Sequence, residues 1–390
     1  MISRIKELAA KYRERVIDIR NHLHQYPELS FQEFETSKFI LNTLNELNIE
    51  VQSGLGSGTG LTAVIGRGDR TIALRADMDA LPIQEQSEKF YRSQNSGVMH
   101  ACGHDVHTSS LLGCAMILNE LKDELNHKVK FIFQPGEEQL PGGASMMIKD
   151  GALENPKVSQ ILGQHVHPSL TVGKIGVKPG FFMASCDEIF ITVLGRGGHG
   201  AMPHHTIDPI MISAELIQSL QSVVSRHADP NTPSVLTVGK IYSDGGATNV
   251  IPSSVSMEGT FRTFDEQWRS EAHELIRKRV KCITEAYDAD YQLEIRKGYP
   301  SLYNDPVLTE KTIDHMNAYM GEENIVLLPQ RMTAEDFSYY SHEVPACFYR
   351  LGTGSIDGSN SSPVHTPYFD IDPDALEVGM GLMSWLAYNG

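Results

Sequence analysis

After the stretch KPGFFMASCD, which ends at residue 187, the chain changes rhythm. From there it reads as strand EIFITVLG, helix DPIMISAELIQSLQSVVSR, strands PSVLTVGKIY and SSVSMEGTFRTF, helix EQWRSEAHELIRKRVKCITEAY and strand DYQLEIRKG. That βαββαβ order over about 110 residues is the pattern of a ferredoxin-like two-layer module. Before it, the strands LTAVIG, TIALRA, KVKFIF and QILGQHV are interleaved with helices over about residues 108–121 and around Met146. Such alternation predicts a sheet covered by helices on both faces. From Pro300 onward the chain returns to helix, strand, helix, with TAEDFSYY as a capped helix start and ACFYRLG as a buried strand. A chain of 390 residues exceeds the usual size of one core. We therefore expect an α/β domain with a mixed central sheet, residues 1–183 and 300–390, and a ferredoxin-like α+β module inserted at 184–299.

At the amino end, Ile5, Leu8, Tyr12, Val16, Ile19 and Leu23 fall at helical spacing and Pro27 stops them. SFQE, from Ser30 to Glu33, reads as a capping box that opens a second helix running to about Leu47. The charges spread through this segment leave no apolar signal-peptide core, and no run of eighteen apolar residues predicts a transmembrane helix. Lys plus Arg number 33 against 49 Asp plus Glu, a net charge of −16, without a basic tract to follow a phosphate backbone. Nucleic acid is thus a poor partner. Five cysteines, odd in number and scattered, fit a reducing compartment, and the expected location is cytoplasmic.

Four short stretches gather His, Cys, Asp and Glu at positions just after predicted strands: LRADMDALP (Asp77, Asp79), MHACGHDVH (Cys102, His104), FQPGEEQ (Glu137, Glu138) and GQHVHP (His165, His167). Ligands of open α/β sheets bind in the crevice at the carboxyl ends of the strands, where such loops converge. A lone His or Cys is more often a packed core residue, and Cys114 in LLGCAMIL is read that way. Glu137 and Glu138 follow a run that should be a buried strand, so two like charges there require a compensating cation. Cys102 and His104, one residue apart in an extended or looped segment, can face the same way. A thiolate with imidazole and carboxylate is a borderline-soft donor set, suited to Zn²⁺ and tolerable to Mn²⁺, Co²⁺ or Ni²⁺. If one glutamate binds metal, its neighbour is placed to act as a base.

RADMDALP, MHACGHDVHT, FQPGEE, QHVHP and VHTPYFD, in that order, resemble the signatures of the metallopeptidase superfamily of aminoacylase and carboxypeptidase G. Within it they resemble the branch of N-acyl-amino-acid amidohydrolases, hippurate hydrolases, N-acetyldiaminopimelate deacetylases and auxin-conjugate hydrolases. The resemblance implies two divalent metal ions per chain, held by Cys102, His104, Glu138, His165 and His365, with Glu137 as general base. Cys102 stands where the wider superfamily has a bridging aspartate, and Asp77 where it has a ligand histidine. Asp79 is expected to orient a ligand, while His107 and His167 take no ligand role. One departure follows the glutamates, where this chain reads EEQLPGGA in place of a glycine directly after them.

In the inserted module the resemblance implies that His199, in GRGGHGAMPHH, stabilises an oxyanion and that Asn249, in ATNVIP, contacts substrate. Arg262, in GTFRTF, either pairs with a substrate carboxylate or points to solvent. The module would serve as a lid and as a homodimer interface. The implied activity is hydrolysis of the amide of a small N-acylated amino acid by metal-activated water. Two rivals remain open at this point: a dipeptidase or carboxypeptidase-like enzyme with the same metals, and an inactive metal- or ligand-binding relative.

Overall fold

The computed structural model describes residues 1–390. The chain divides into two compact units, one of Met1–Phe182, Tyr303–Gln330 and Glu335–Gly390, the other of Met183–Leu302 and Arg331–Ala334.

In the larger unit, helix α1 (Ile2–Gln25) buries Ile5, Leu8, Val16, Ile19 and Leu23, the stripe that the spacing predicts. Helix α2 spans Phe34–Glu46, and strands β1 (Val51–Leu55), β2 (Gly60–Gly66) and β3 (Thr71–Asp77) follow. After helix α3 (His104–Glu120) come β4 (Lys128–Gln134), β5 (Gln160–Thr171) and β6 (Ile175–Val177). The sheet order is β1-β2-β4-β3-β5, then Ala346–Gly354, β6 and Ile325–Leu327. β3 runs parallel to β4 and β5, whereas β1–β2 and β2–β4 are antiparallel, so the sheet is mixed as expected. All seven residues of β3 are buried, as a central strand covered on both faces requires.

Two local expectations are corrected. The helix expected from about residue 108 begins at His104, so His104 lies in its first turn and not in an extended or looped segment. Every residue from His104 to Leu118 is buried, and the mostly polar start HDVHTSS shows no apolar stripe to mark the boundary. The capping box does not form either. The Ser30 hydroxyl donates to Asp79 (2.6 Å), the Glu33 carboxylate serves other segments, and the first amides of α2, at Glu35 and Thr36, bond to Glu28 (3.2 and 2.8 Å). Tertiary demand has overridden a local signal.

The smaller unit is a four-stranded antiparallel sheet, ordered Ser234–Ser243, Ser254–Thr263, Asp187–Leu194, Asp290–Lys297, with helices Pro209–His227 and Glu266–Ala286. Ile189, Ile191, Leu216, Leu220, Phe261 and Ile276 form its core. This is the ferredoxin-like order read from the sequence. It also takes in Arg331–Ala334, because the Ala184 amide bonds to the Arg331 and Thr333 carbonyls (3.1 and 3.2 Å) and Arg262 reaches the Met332 carbonyl (3.2 Å).

Asp187 knots this unit together. It accepts from Arg269 Nε (3.0 Å) and the Gly298 amide (3.1 Å), and pairs with His273 Nε2 (2.7 Å). Burial alone would raise its carboxyl, but the His273 and Arg269 bonds outweigh burial and hold it below the ordinary range. Asp187→Ala leaves buried Arg269 with only Glu266 (3.0 Å) as a carboxylate partner, so the unit should lose stability toward the low end of about 3–5 kcal/mol. Because the folded value is depressed, Asp187's contribution is complete above an unfolded carboxyl value of about 4 and fades as the pH falls further. Denaturant unfolding followed by Trp268 fluorescence in a Trp385→Phe background should show that acid loss, and Asp187→Asn should flatten it.

Candidate metal centre

Since β3, β4 and β5 are parallel, their carboxyl ends lie side by side. β3 ends at Asp77, with Asp79 two residues on, and β4 leads through Pro135 and Gly136 to Glu137 and Glu138. β5 carries His165 within the strand, not in a loop after it. Cys102 and His104 flank Gly103, which sits at φ 81° as the residue before α3. A Cβ on Gly103 would lie 2.7 Å from Val166, so this left-handed turn needs glycine. His365 comes from the segment after Ala346–Gly354 and holds φ 62°, a sparsely populated conformation for a side-chain-bearing residue, with its amide bonded to the Ala101 carbonyl (2.8 Å).

These segments bring the five ligand candidates together. Cys102 Sγ lies 3.4 Å from His165 Nε2 and 3.3 Å from His365 Nε2. Glu138 Oε1 lies 3.2 Å from His365 Nε2 and 3.9 Å from His104 Nε2. Two groups result, Cys102–His104–His165 and Cys102–Glu138–His365, with the thiol common to both. Bonds of about 2.0–2.3 Å to an ion correspond to a tetrahedron edge of about 3.3–3.8 Å, close to these separations. His104 Nε2 is buried without a hydrogen-bond partner, which is costly unless something else satisfies it. The residues present therefore fit a divalent ion.

The neighbours fix the donors. His104 Nδ1 faces Asp79 Oδ1 at 3.1 Å, which turns Nε2 toward the site. Asp79 also receives the amides of Glu137 (Oδ1, 3.1 Å) and Glu138 (Oδ2, 3.0 Å). Asp77 is gripped by Arg75 Nη1 (2.7 Å) and His107 Nδ1 (2.5 Å). His107 Nε2 accepts from the Val166 amide (2.9 Å), so the ring carries its proton on Nδ1 and holds Asp77.

Electrostatics follow from crowding in a dry place. Burial pushes the Cys102 thiol well above its usual value, helped by Glu138, Glu137 and Asp77. Burial, with Glu335, Glu138 and Asp336 nearby, likewise pushes Glu137 up. His104 would be lowered by burial, but Asp77 and Asp79 outweigh that and raise it to about 10. His165 is depressed by burial and by Arg350. The cluster holds acid groups that cannot all be charged together unless cations join them.

In the smaller unit, His199 is exposed and pairs with Val250 in a two-residue ribbon, and the Gly200 amide bonds to the Asn249 carbonyl (2.7 Å), so His199 and Asn249 are neighbours. Arg262 is half-buried and spends Nη1 on Met332.

The profile of peptidase family M20/M25/M40 matches residues 73–389. The chain belongs to this family. It is similar to an N-acyl-L-amino acid amidohydrolase of Geobacillus stearothermophilus, 44% identical and covering 77% of this chain and 80% of the relative. It is also similar to thermostable carboxypeptidase 1 of Saccharolobus solfataricus, 36% identical over 97% of this chain and 96% of that one. A crystal structure from Bacillus subtilis, described as a dinuclear metal-binding peptidase of the M20 family, superposes with TM-score 0.83, is 37% identical and covers 97% of this chain and 98% of its own.

In this member of the M20/M25/M40 family, the side chains that sequence reasoning missed are those behind the ligand candidates. The stretch TAEDFSYY predicts a capped helix start, yet Glu335 and Asp336 pair with Arg75 (3.1 and 2.7 Å), and the helix there is only Ser338–Ser341. Two adjacent acids ahead of an apolar run were the available signal. Arg20 and Asp105 were likewise passed over.

Asp79→Asn places an amide NH₂ against one of the two backbone N–H groups that Asp79 now receives. Metal affinity should fall about 10–100-fold, measured by competition with a chromogenic chelator; unchanged affinity would remove Asp79 from the support of the site. In the unsubstituted protein affinity should rise with pH, because Cys102 and His104 must shed protons before they can bind.

Proposed function

We propose that this chain hydrolyses the amide bond of N-acylated amino acids, with two divalent ions, Zn²⁺, Mn²⁺, Co²⁺ or Ni²⁺, held by Cys102, His104, Glu138, His165 and His365. The observation that carries the reading is the pairing at the end of β4: Glu138 turns Oε1 to within 3.2 Å of His365 Nε2 beside Cys102, while adjacent Glu137 is buried with its proton affinity raised. A bound divalent ion would supply polarisation of the acyl carbonyl and acidification of a water molecule. Glu137 is the group placed to accept a proton from water and to deliver it to the leaving nitrogen, a task for which a raised carboxyl is suited. Asp79 holds the Glu137 and Glu138 amides and keeps the two carboxylates in their separate tasks.

In our reading His199 is the oxyanion donor. Its Nδ1 accepts from the Ala201 amide (3.0 Å), which leaves the ring proton on Nε2 for donation. Asn249, beside it, is assigned to substrate binding. Arg262 remains a candidate for a substrate carboxylate, though one nitrogen already serves Met332. Residues 1–183 with 300–390 act as the catalytic domain in this reading, and 184–299 as lid. Homodimerisation through the insertion is supported by its edge strand Ser234–Ser243, which exposes Ile241 and Tyr242. All five cysteines are unpaired, and a thiol ligand suits a reducing, cytoplasmic setting. No helix is long and apolar enough to cross a membrane.

A second reading, carboxypeptidase-like cleavage, draws on the Saccharolobus relative. A panel of N-acetyl and N-benzoyl amino acids beside dipeptides separates the two by kcat/KM. Within the favoured class, Glu137→Gln should retain metal and lose turnover by about 10²–10⁴-fold, since it keeps the shape and removes the proton carrier. A variant with near-normal kcat would sink the assignment of Glu137.

A further inference from the structure

Three consecutive amides, those of Gly136, Glu137 and Glu138, each end on a carboxylate from another segment. Asp79 takes the latter two, and Glu33 Oε1 takes Gly136 at 2.9 Å. Glu33 is fully buried, and the same Oε1 accepts from its own neighbour Phe31 (2.8 Å) while Oε2 accepts from the Thr59 hydroxyl (2.9 Å). We propose that Glu33 is a positioning residue that clamps Gly136 and thereby aims the Glu137 carboxylate; this rests on the functional reading above.

Three observations favour a clamp over a helix cap. Glu33 stands immediately before α2, yet its side chain makes no capping bond there, and Glu28 takes the amides of Glu35 and Thr36. Gly136 is pinned from two further directions: its carbonyl accepts from the Gly143 amide (3.0 Å), and it holds φ 58° with the Phe31 ring where a Cβ would be, 2.2 Å from that point. Phe31 is itself at φ 64°, so Glu33, by bonding both the Phe31 and Gly136 amides, locks a ring and a turn that interlock. Burying a carboxylate is unfavourable, and burial with nearby Asp79 raises Glu33 to about 7. Three donors from three segments are what make that burial tolerable. The residue following this clamp is the general base, where a displacement of about 1 Å can cost about 10²-fold in rate.

The test compares Glu33→Gln and Glu33→Asp with the unsubstituted protein. Each is loaded with Mn²⁺ and assayed on N-acetyl-L-alanine and N-benzoylglycine, and metal per chain is measured alongside. Hydrogen exchange of the peptide spanning Gly136 is followed in the metal-free proteins. Gln keeps the reach and an acceptor oxygen for the Phe31 and Gly136 amides, whereas Asp keeps the charge and falls one methylene short. We expect Glu33→Asp to lose about 10–100-fold in kcat with little change in KM or metal content, and to exchange faster at residues 136–138. Glu33→Gln should retain most of the kcat and the slow exchange. The opposite order, Asp near normal and Gln impaired, would show that charge and not reach matters and would overturn the clamp. Unchanged kcat and exchange in both variants would overturn it as well. Absence of hydrolysis by the unsubstituted protein would instead overturn the functional reading, and the clamp with it.

Discussion

Asp79 is the constraint on which the site depends. One carboxylate, nearly fully buried, accepts from the Ser30 hydroxyl and from the amides of Glu137 and Glu138, and it faces His104 Nδ1. These contacts join a residue two past β3 to the turn after β4 and to the first residue of α3. Because His104 spends Nδ1 on Asp79, only Nε2 is left for the centre. Because the two glutamate amides point the same way, the loop cannot twist to exchange its carboxylates.

The same region concentrates charge that a hydrophobic interior disfavours. Asp77, Asp79, Glu137, Glu335 and Asp336 are all buried, and Arg75 is bonded or ion-paired to Asp77, Glu335 and Asp336 at once. One guanidinium cannot neutralise five carboxyl groups, and burial, with the neighbouring acids adding to it, raises the proton affinities of Glu137, Glu335 and Asp336. Divalent ions would relieve that surplus, so metal binding and the stability of this end of the sheet are physically linked. A carboxyl whose proton affinity is raised is also one able to receive a proton from water near neutral pH.

Much of this was legible because metal chemistry needs particular residue types and the fold delivers them at strand ends. The motifs around Cys102, Glu137, His165 and His365 stood out for that reason, and the change of rhythm after residue 187 exposed the insertion. What stayed hidden was long-range. Ser30 and Glu33 carry a capping-box spacing, and only the folded chain reveals that Asp79, Gly136 and Thr59 claim their oxygens. Helix α3 opens with buried, mostly polar residues, HDVHTSS, so its first turns lack the apolar stripe that periodicity detects. Arg331–Ala334 joins the smaller unit through backbone bonds, which leave no trace in residue type.

The amino-terminal helix shows how packing and aim become one problem. Ile19 and Leu23 of α1 enter the core, while Arg20 and His24, one residue along from each, turn to the site's far side. Arg20 bonds Asp105 (2.9 Å), which follows His104, and Asp370 (3.0 Å), which lies in the segment that carries His365. His24 adds a contact to Asp105 at 2.7 Å. Burial would raise Asp105, but Arg20 and His24 outweigh it and keep the carboxylate charged, so the brace persists at neutral pH. The two ligand candidates farthest apart in sequence among the five, Cys102 and His365, are thus referenced to one helix that contributes no candidate. A shift of α1 that merely loosens the core would also change the separation of the candidate donors around the thiol, a separation that a bound divalent ion would hold to within a few tenths of an ångström.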